Sequence, residues 1–143
     1  MDSRLKNVLA ILAGIIIGIF VNYSIVGFSA TVIPLPEGID PTNPDSIADN
    51  IHLFQAKHFV MPFLAHALGT LVGAYVSFRI AANHNMKFAL GIGAFFLLGG
   101  ITAAFMIKGA PMSFIIIDLL FAYIPMAIIG GKLAEKTKNI KEE

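Results

Sequence analysis

The stretch HFVMPFLAHALGTLVGAYVSFR, residues 58–79, decides how this chain folds. It can cross a bilayer as a helix, because a helix rises about 1.5 Å per residue and the hydrocarbon core is about 30 Å thick. In its middle lies His66, an ionisable side chain that is costly to place in hydrocarbon. The stretch therefore predicts a transmembrane helix and raises the question of what surrounds His66.

The composition of the whole chain places this stretch in a membrane protein. Of 143 residues, 57% are hydrophobic and only 13% are charged, which is too apolar for a soluble domain of this size. The sequence contains no cysteine, which excludes a thiolate metal site, a covalent c-type haem and a cysteine nucleophile. The net charge of +1 arises from basic residues at segment ends, and this pattern argues against nucleic acid as a partner.

Four apolar segments separate along the sequence. Only helices and closed barrels satisfy every backbone group in lipid, so each segment is interpreted as a helix. We predict an all-α polytopic membrane protein, a single domain over residues 1–143, with four transmembrane helices in a bundle. The predicted spans are about residues 5–28, 59–78, 86–107 and 112–131, with an outer loop at 29–58 and a cytoplasmic tail at 132–143.

Basic residues predict the orientation of the bundle. Eight of them lie at one end of the segments, whereas Lys57 and Lys108 lie at the other. Since cytoplasmic loops carry an excess of Lys and Arg, we expect both termini in the cytoplasm and the long first loop outside. The eight residues are Arg4, Lys6, Arg79, Lys87, Lys132, Lys136, Lys138 and Lys141.

The first loop and the tail carry local signals of their own. The loop is acidic and rich in proline, and Ser46-Ile-Ala-Asp49 predicts a short surface helix with Ser46 as its N-cap. Ile47, Ile51 and Phe54 follow at helical spacing, while a disordered loop is the alternative interpretation. The tail mixes both signs of charge and is expected to fray at the membrane surface.

Glycines and prolines predict how the helices pack. Two small-xxx-small pairs let backbones approach closely, and they fit either packing inside the bundle or dimerisation. Two prolines are expected to kink the second and fourth spans, because proline cannot donate the helical hydrogen bond. The pairs are Gly14 with Gly18 and Gly69 with Gly73, and the prolines are Pro62 and Pro125.

One polar residue lies at a similar depth in each span. Asn22, His66, Thr102 and Asp118 are each 13 to 16 residues from the basic residue at the cytoplasmic end of their segment. At 1.5 Å per residue this depth is roughly 20–24 Å, which is in the outer half of the membrane. Because a carboxylate in hydrocarbon needs a partner, we predict that Asp118 contacts His66 directly or through water.

Two functions remain open for this polar layer. It can be a hydrogen-bonded layer that fixes helix register, which fits a non-enzymatic subunit or structural partner in a membrane complex. Alternatively it can line a water-filled cavity and bind a cation or pass a proton, as in a small proton- or cation-linked transporter. The first interpretation leads, with a protein partner or a homo-oligomer implied besides the lipid bilayer.

Enzyme, metal and cofactor functions receive no support from the sequence. No serine lies in a nucleophile-elbow pattern, and no glycine-rich phosphate loop follows a strand. His52, His58 and His66 are six and eight residues apart, which does not bring ligands together on one helix face. We therefore predict no enzymatic activity, no metal site and no cofactor.

Three stretches of the sequence carry a family resemblance. PLPEGIDPTNPDSI at 34–47, HFVMPFLAHALGTLVGAYVSFRIAANH at 58–84 and AYIPMAIIGGKLA at 122–134 resemble small, uncharacterised four-span proteins of Gram-negative bacterial inner membranes. The resemblance covers most of the chain and implies a multi-pass protein of the bacterial inner membrane. It implies no activity, ligand or catalytic residue.

Overall fold

The computed structural model of the protein describes residues 2–140, and every element in that range is helical. Four segments of the described chain are long and apolar enough to cross a membrane: Ser3–Val32, Ala56–Ile80, Asn85–Met106 and Met112–Asn139. The prediction of an all-α bundle of four long apolar helices is confirmed. The α-helices are α1 Ser3–Val32, α2 Pro44–Asp49, α3 Val60–Ile80, α4 Asn85–Met106, α5 Met112–Phe121 and α6 Ile124–Asn139, with 3-10 turns at Ile51–Leu53 and Ala56–Phe59.

Helix α3 lies at the centre, and α1, α4 and α6 pack against it. Both ends of the described chain lie at the end of the bundle that contains the α3–α4 turn, which we call the terminal end. Asn7 of α1 donates to the Asn83 side chain of that turn at 3.0 Å and accepts the Ala82 N–H at 2.8 Å. The hydroxyls of Tyr75 and Thr137, 3.1 Å apart, join α3 to α6 near the same end. The opposite end, with the 33–59 connection, is the loop end.

The two glycine pairs face each other where α1 crosses α3. A Cβ atom added at Gly14 would lie 2.8 Å from the Gly73 carbonyl oxygen, and one added at Gly73 would lie 2.6 Å from the Gly14 carbonyl oxygen. Gly18 and Gly69 approach in the same reciprocal way, each at 2.8 Å from the carbonyl oxygen of the other. The crossing is therefore backbone against backbone, as small-xxx-small pairs allow. Both pairs are used within one chain.

The rest of the interior is built from small side chains. Ala74, Ala89 and Ala127 are fully buried, and Ile92 is the large apolar side chain among them. Small residues bring α3, α4 and α6 close together, which favours van der Waals contact in a lipid environment. Large apolar side chains instead cover the outside of the helices, where they would face lipid.

The short helix of the first loop begins earlier and ends sooner than predicted. Its N-cap is Asn43, whose side chain accepts the N–H groups of Asp45 and Ser46, so the assignment of Ser46 as N-cap is wrong. Pro44 follows at the first helical position, where its fixed φ suits a helix start. The helix ends at Asp49, and the predicted continuation through Ile51 and Phe54 is replaced by two 3-10 turns.

Local hydrogen bonds order the segment before α2. The Asp40 carboxylate accepts the hydroxyl of Thr42 at 2.7 Å and its N–H at 2.8 Å. These hydrogen bonds lower the pKa of the Asp40 carboxyl below its usual value. The Ser46 hydroxyl is left to accept the Asp40 N–H, which ties the turn to the first turn of α2.

The two prolines act differently from each other. Pro62 lies in the first turn of α3, just after the 3-10 turn Ala56–Phe59, where its missing N–H leaves no helical bond unmade. Pro125 lies in the first turn of α6, and the fourth span is interrupted just before it at Ala122 and Tyr123. The fourth span is thus two helices, α5 and α6.

The chain beyond Gly131 continues as a helix rather than fraying. Helix α6 extends to Asn139, and Ala134 is fully buried against the bundle. The helix of the fourth span therefore continues about two turns beyond residue 131, the predicted end of that span. Residues 141–143 of the predicted tail, including Lys141, lie outside the described residues.

Candidate functional site

His66 of α3 and Asp118 of α5 are in direct contact in the interior of the bundle. His66 Nδ1 donates to the Asp118 carboxylate, at 2.9 Å from Oδ1 and 3.0 Å from Oδ2. The Asp118 side chain is 6% exposed and that of His66 is 26% exposed. The structure thus brings together the two ionisable members of the predicted layer.

Tyr123 completes the surroundings of Asp118. Its hydroxyl donates to Asp118 Oδ2 at 2.8 Å, and its ring stacks on the His66 imidazole with centroids 5.7 Å apart. Tyr123 is itself buried, so the polar cluster of His66, Asp118 and Tyr123 is packed between helices. A carboxylate that accepts bonds from two side chains avoids most of the cost of burial in hydrocarbon.

The break between α5 and α6 gives Tyr123 its position. In an unbroken helix, Tyr123 would lie about 140° around the axis from Asp118, so their side chains would not meet. The interruption at Ala122 and Tyr123 turns the tyrosine back toward Asp118. Gly100 of α4 leaves room for it, because a Cβ at that position would collide with the Tyr123 hydroxyl.

The cluster rests on α3 through further contacts. The Thr70 hydroxyl donates to the His66 carbonyl oxygen at 2.8 Å, one turn along the helix. Thr70 is buried, and with His66 and Tyr123 it borders a cavity between α1, α3 and α4. This inner cavity has a volume of about 350 Å³.

The two remaining members of the predicted layer have different positions. Asn22 borders the inner cavity, and its Cβ lies 3.1 Å from where a Cβ of Gly69 would be. Thr102 is exposed on the outside of α4 and donates to the Leu98 carbonyl of its own helix at 2.8 Å, so the structure does not bring it together with His66 and Asp118. Depth along the axis does not fix direction, and Thr102 points about 200° away from Gly100, which faces the cluster.

Another cavity lies on the other side of His66, at the loop end. This loop-end cavity has a volume of about 250 Å³ and is bordered by α1, the first loop, α3, α4 and α5. Most of its lining is apolar, and His66 and Asp118 supply polar groups to it. Ile47, Ile51 and Phe54 of the first loop cover it, so the apolar spacing noted in the sequence serves this surface.

A second histidine, His58, also borders the loop-end cavity. It is 8% exposed and lies in the 3-10 turn before α3. His58 Nδ1 accepts the Gln55 N–H at 2.8 Å, which places any proton of the neutral ring on Nε2. The ring packs edge-on against Phe54 with centroids 5.4 Å apart. No pattern in the sequence distinguishes His58 from the exposed His52.

The polar cluster has the parts of a reversible proton site. Because Nδ1 donates to Asp118, the neutral imidazole keeps Nε2 as an acceptor, and protonation turns that atom into a donor. Asp118 would stabilise the resulting imidazolium at a contact of 2.9 Å. Within residues 2–140, no three His, Asp or Glu side chains converge as metal ligands.

Comparisons with known proteins add no assignment. No protein-family description, no curated protein and no solved structure matches the chain. The helices alone show the broader class, an integral membrane protein with four long apolar segments.

Proposed function

We propose that the protein is a small proton- or cation-linked transporter of a bacterial inner membrane, in which His66 and Asp118 carry the ion. The observation that carries the proposal is the His66–Asp118 contact placed between two cavities, with His66 bordering both. Ionisable side chains within membrane-spanning helices commonly mark ion pathways. Placing them in hydrocarbon costs free energy, so they are found mainly where they serve a function.

The orientation belongs to the same proposal. Positive residues at the terminal end favour a cytoplasmic location for both termini, which would put the loop-end cavity on the outer side of the membrane. A proton or cation would then approach His66 from outside and leave toward the inner cavity. The mechanism is binding and release of a charge, without an enzymatic step.

The glycine crossing weakens the competing role as a subunit in a larger complex. Smooth glycine faces favoured a partner, yet Gly14, Gly18, Gly69 and Gly73 are covered by each other within the chain. These faces are therefore not available to a second protein. Coverage of these glycines within the chain favours a function at the cavities over a role in packing against a partner.

One observation still favours a structural partner as the second candidate. Both oxygens of Asp118 are bonded within the chain, by His66 and Tyr123, so the cluster can hold α3 to α5 with no ligand. In that case the cluster is a device that fixes helix register, with each bond worth about 1 kcal/mol. Gentle extraction followed by native mass spectrometry would then show a stoichiometric second protein or a homo-oligomer.

The test is proton movement in vesicles that contain the purified full chain. A pH-sensitive dye inside the vesicles reports how fast an imposed proton gradient collapses. We expect the wild type to collapse it faster than empty vesicles, and Asp118→Asn to return the rate to the empty-vesicle level, because the amide cannot take the negative charge. Thr102→Val is the matched control, since Thr102 is exposed and bonded within its own helix.

Two results would contradict the proposal. One is a wild-type rate equal to that of empty vesicles, and the other is an Asp118→Asn rate equal to wild type. Circular dichroism and size-exclusion chromatography of each variant establish that the bundle still forms. A loosened Asp118→Asn bundle together with no wild-type flux would favour the structural role.

A further inference from the structure

The loop-end cavity combines an apolar wall with a polar floor. Phe54, Phe59 and Phe114 contribute aromatic rings from the loop, the turn before α3 and α5, and the rings of Phe59 and Phe114 have centroids 4.8 Å apart. His66 and Asp118 form the floor. We propose that this cavity binds a small lipophilic ammonium ion, and this inference rests on the proposed function because it names the cation.

The charged residues that line the cavity determine the charge of the ligand that it can bind. Among the described residues that line the cavity, only Asp118, His66 and His58 can carry charge. Asp118 accepts hydrogen bonds through both oxygens, as a carboxylate does, so with neutral histidines the floor carries one negative charge. In a site of low dielectric such a charge attracts a cation strongly and repels an anion.

The apolar lining of the cavity determines the size and polarity of the rest of the ligand. Aromatic faces attract cations as well as apolar groups, which suits an ammonium attached to an apolar body. A cavity of about 150 Å³ is enough to hold benzene, so about 250 Å³ has room for one ring with a short chain. The cavity is too small for two acyl chains, so a lipid could insert only its head group, whereas a small amine fits whole. We infer a free amine.

Protonation of the floor would compete with the amine. The groups that face His66 are Asp118 from α5 and Tyr123 from the α5–α6 break, with His58 across the loop-end cavity and Tyr23 across the inner one. Helix α4 contributes phenylalanine, glycine and alanine there and no titratable group. When His66 takes a proton, the pair with Asp118 becomes neutral and the attraction for an ammonium is lost. Proton and amine would thus exchange at one site.

The experiment measures binding of three probes of nearly equal shape to the full chain in lipid nanodiscs. The probes are 2-phenylethylammonium, neutral 2-phenylethanol and anionic phenylacetate, studied by calorimetry in phosphatidylcholine and phosphatidylglycerol. We expect the ammonium to bind at least about tenfold more tightly than the alcohol, and phenylacetate not to bind.

Variants assign the effect to the site. Asp118→Asn should weaken ammonium binding about tenfold, and Phe114→Leu about threefold while leaving phenylethanol nearly unchanged. Thr102→Val is expected to bind all three probes as the wild type does. The comparison of probes on the wild type does not depend on any variant folding.

Each other outcome has a defined meaning. Equal binding of ammonium and alcohol, or no binding of either, would overturn the ammonium assignment. Displacement of the probe by added phosphatidylethanolamine would identify a lipid head group and overturn the free amine. Absent binding with flux that still requires Asp118 would overturn this inference alone, whereas binding without any flux would support it and overturn transport.

Discussion

Helix α3 uses its two sides in opposite ways. Toward α1 it presents Gly69 and Gly73, and the two backbones touch, with Asn22 and Ser77 beside the contact. Toward α5 it presents His66, whose partner Asp118 is the buried residue of that helix. One side of α3 is therefore held by backbone packing and the other by hydrogen bonds between ionisable side chains. The loop-end cavity lies on the second side, and the inner cavity borders both.

Helix α5 is joined to α3 through the carboxylate of Asp118, and its exposed surface explains why. Ile116, Ile117, Leu120 and Phe121 of this helix are exposed, as expected for side chains that face lipid. In lipid there is little hydrophobic force between helices, so a helix without small residues gains contact through hydrogen bonds instead. The loop-end cavity lies beside these bonds.

The largest expected effect comes from filling the glycine crossing. Gly73→Val should lower the free energy of unfolding by about 3 kcal/mol, because its Cβ would lie 2.6 Å from the Gly14 carbonyl oxygen and neither backbone can move aside cheaply. Reversible unfolding in mixed micelles, followed by circular dichroism, measures the change.

Gly91→Val on α4 is the matched control for that substitution. A Cβ at Gly91 has nothing within 4 Å, and both glycines lie in apolar spans. We expect the control to unfold within about 0.5 kcal/mol of the wild type. Equal losses for the two variants would show that α1 and α3 do not cross at their glycines.

A smaller effect is expected on the polar side of α3. Tyr123→Phe removes the hydroxyl that donates to Asp118 and keeps the ring, so it should cost about 1–2 kcal/mol. The same unfolding assay measures it, and proton flux should persist because His66 and Asp118 remain in contact. Tyr23→Phe is the control, since the Tyr23 side chain is exposed.

A Tyr123→Phe protein as stable as the wild type would contradict the described hydrogen bond. A loss as large as that of Gly73→Val would mean that the cluster, and not the crossing, holds the bundle. The two substitutions therefore show which side of α3 contributes more to the free energy of unfolding.

Much of the fold could be predicted from the sequence, because lipid restricts the possible structures. Length and apolarity are enough to identify spans when every backbone group must be satisfied within a helix. Helix facing could not be predicted in the same way for α4, which is apolar all round and contains Thr102 on its exposed side. Thr102 was predicted to join the polar layer because its depth matches that of His66 and Asp118. The orientation of α4 about its axis instead turns Thr102 to the outside of the bundle.

The site was predicted in part for a related reason. An isolated carboxylate needs a partner, which pointed from Asp118 to His66 without any knowledge of helix facing. Tyr123 was missed, because its contact with Asp118 exists only if the helix breaks between them. Pro125 signalled an interruption, but the direction in which the chain turns depends on Gly100 and on the packing of α4.

The most direct test of the account is nitrogen NMR of isotope-labelled histidine in the full chain in bilayers, with His66→Gln used to assign the His66 signals. We expect Nδ1 to carry the proton that is hydrogen-bonded to the Asp118 carboxylate. Asp118→Asn should shift the Nδ1 signal, because the charged acceptor is lost. An Nδ1 signal that is the same in the wild type and in Asp118→Asn would contradict the His66–Asp118 contact on which the proposed site rests.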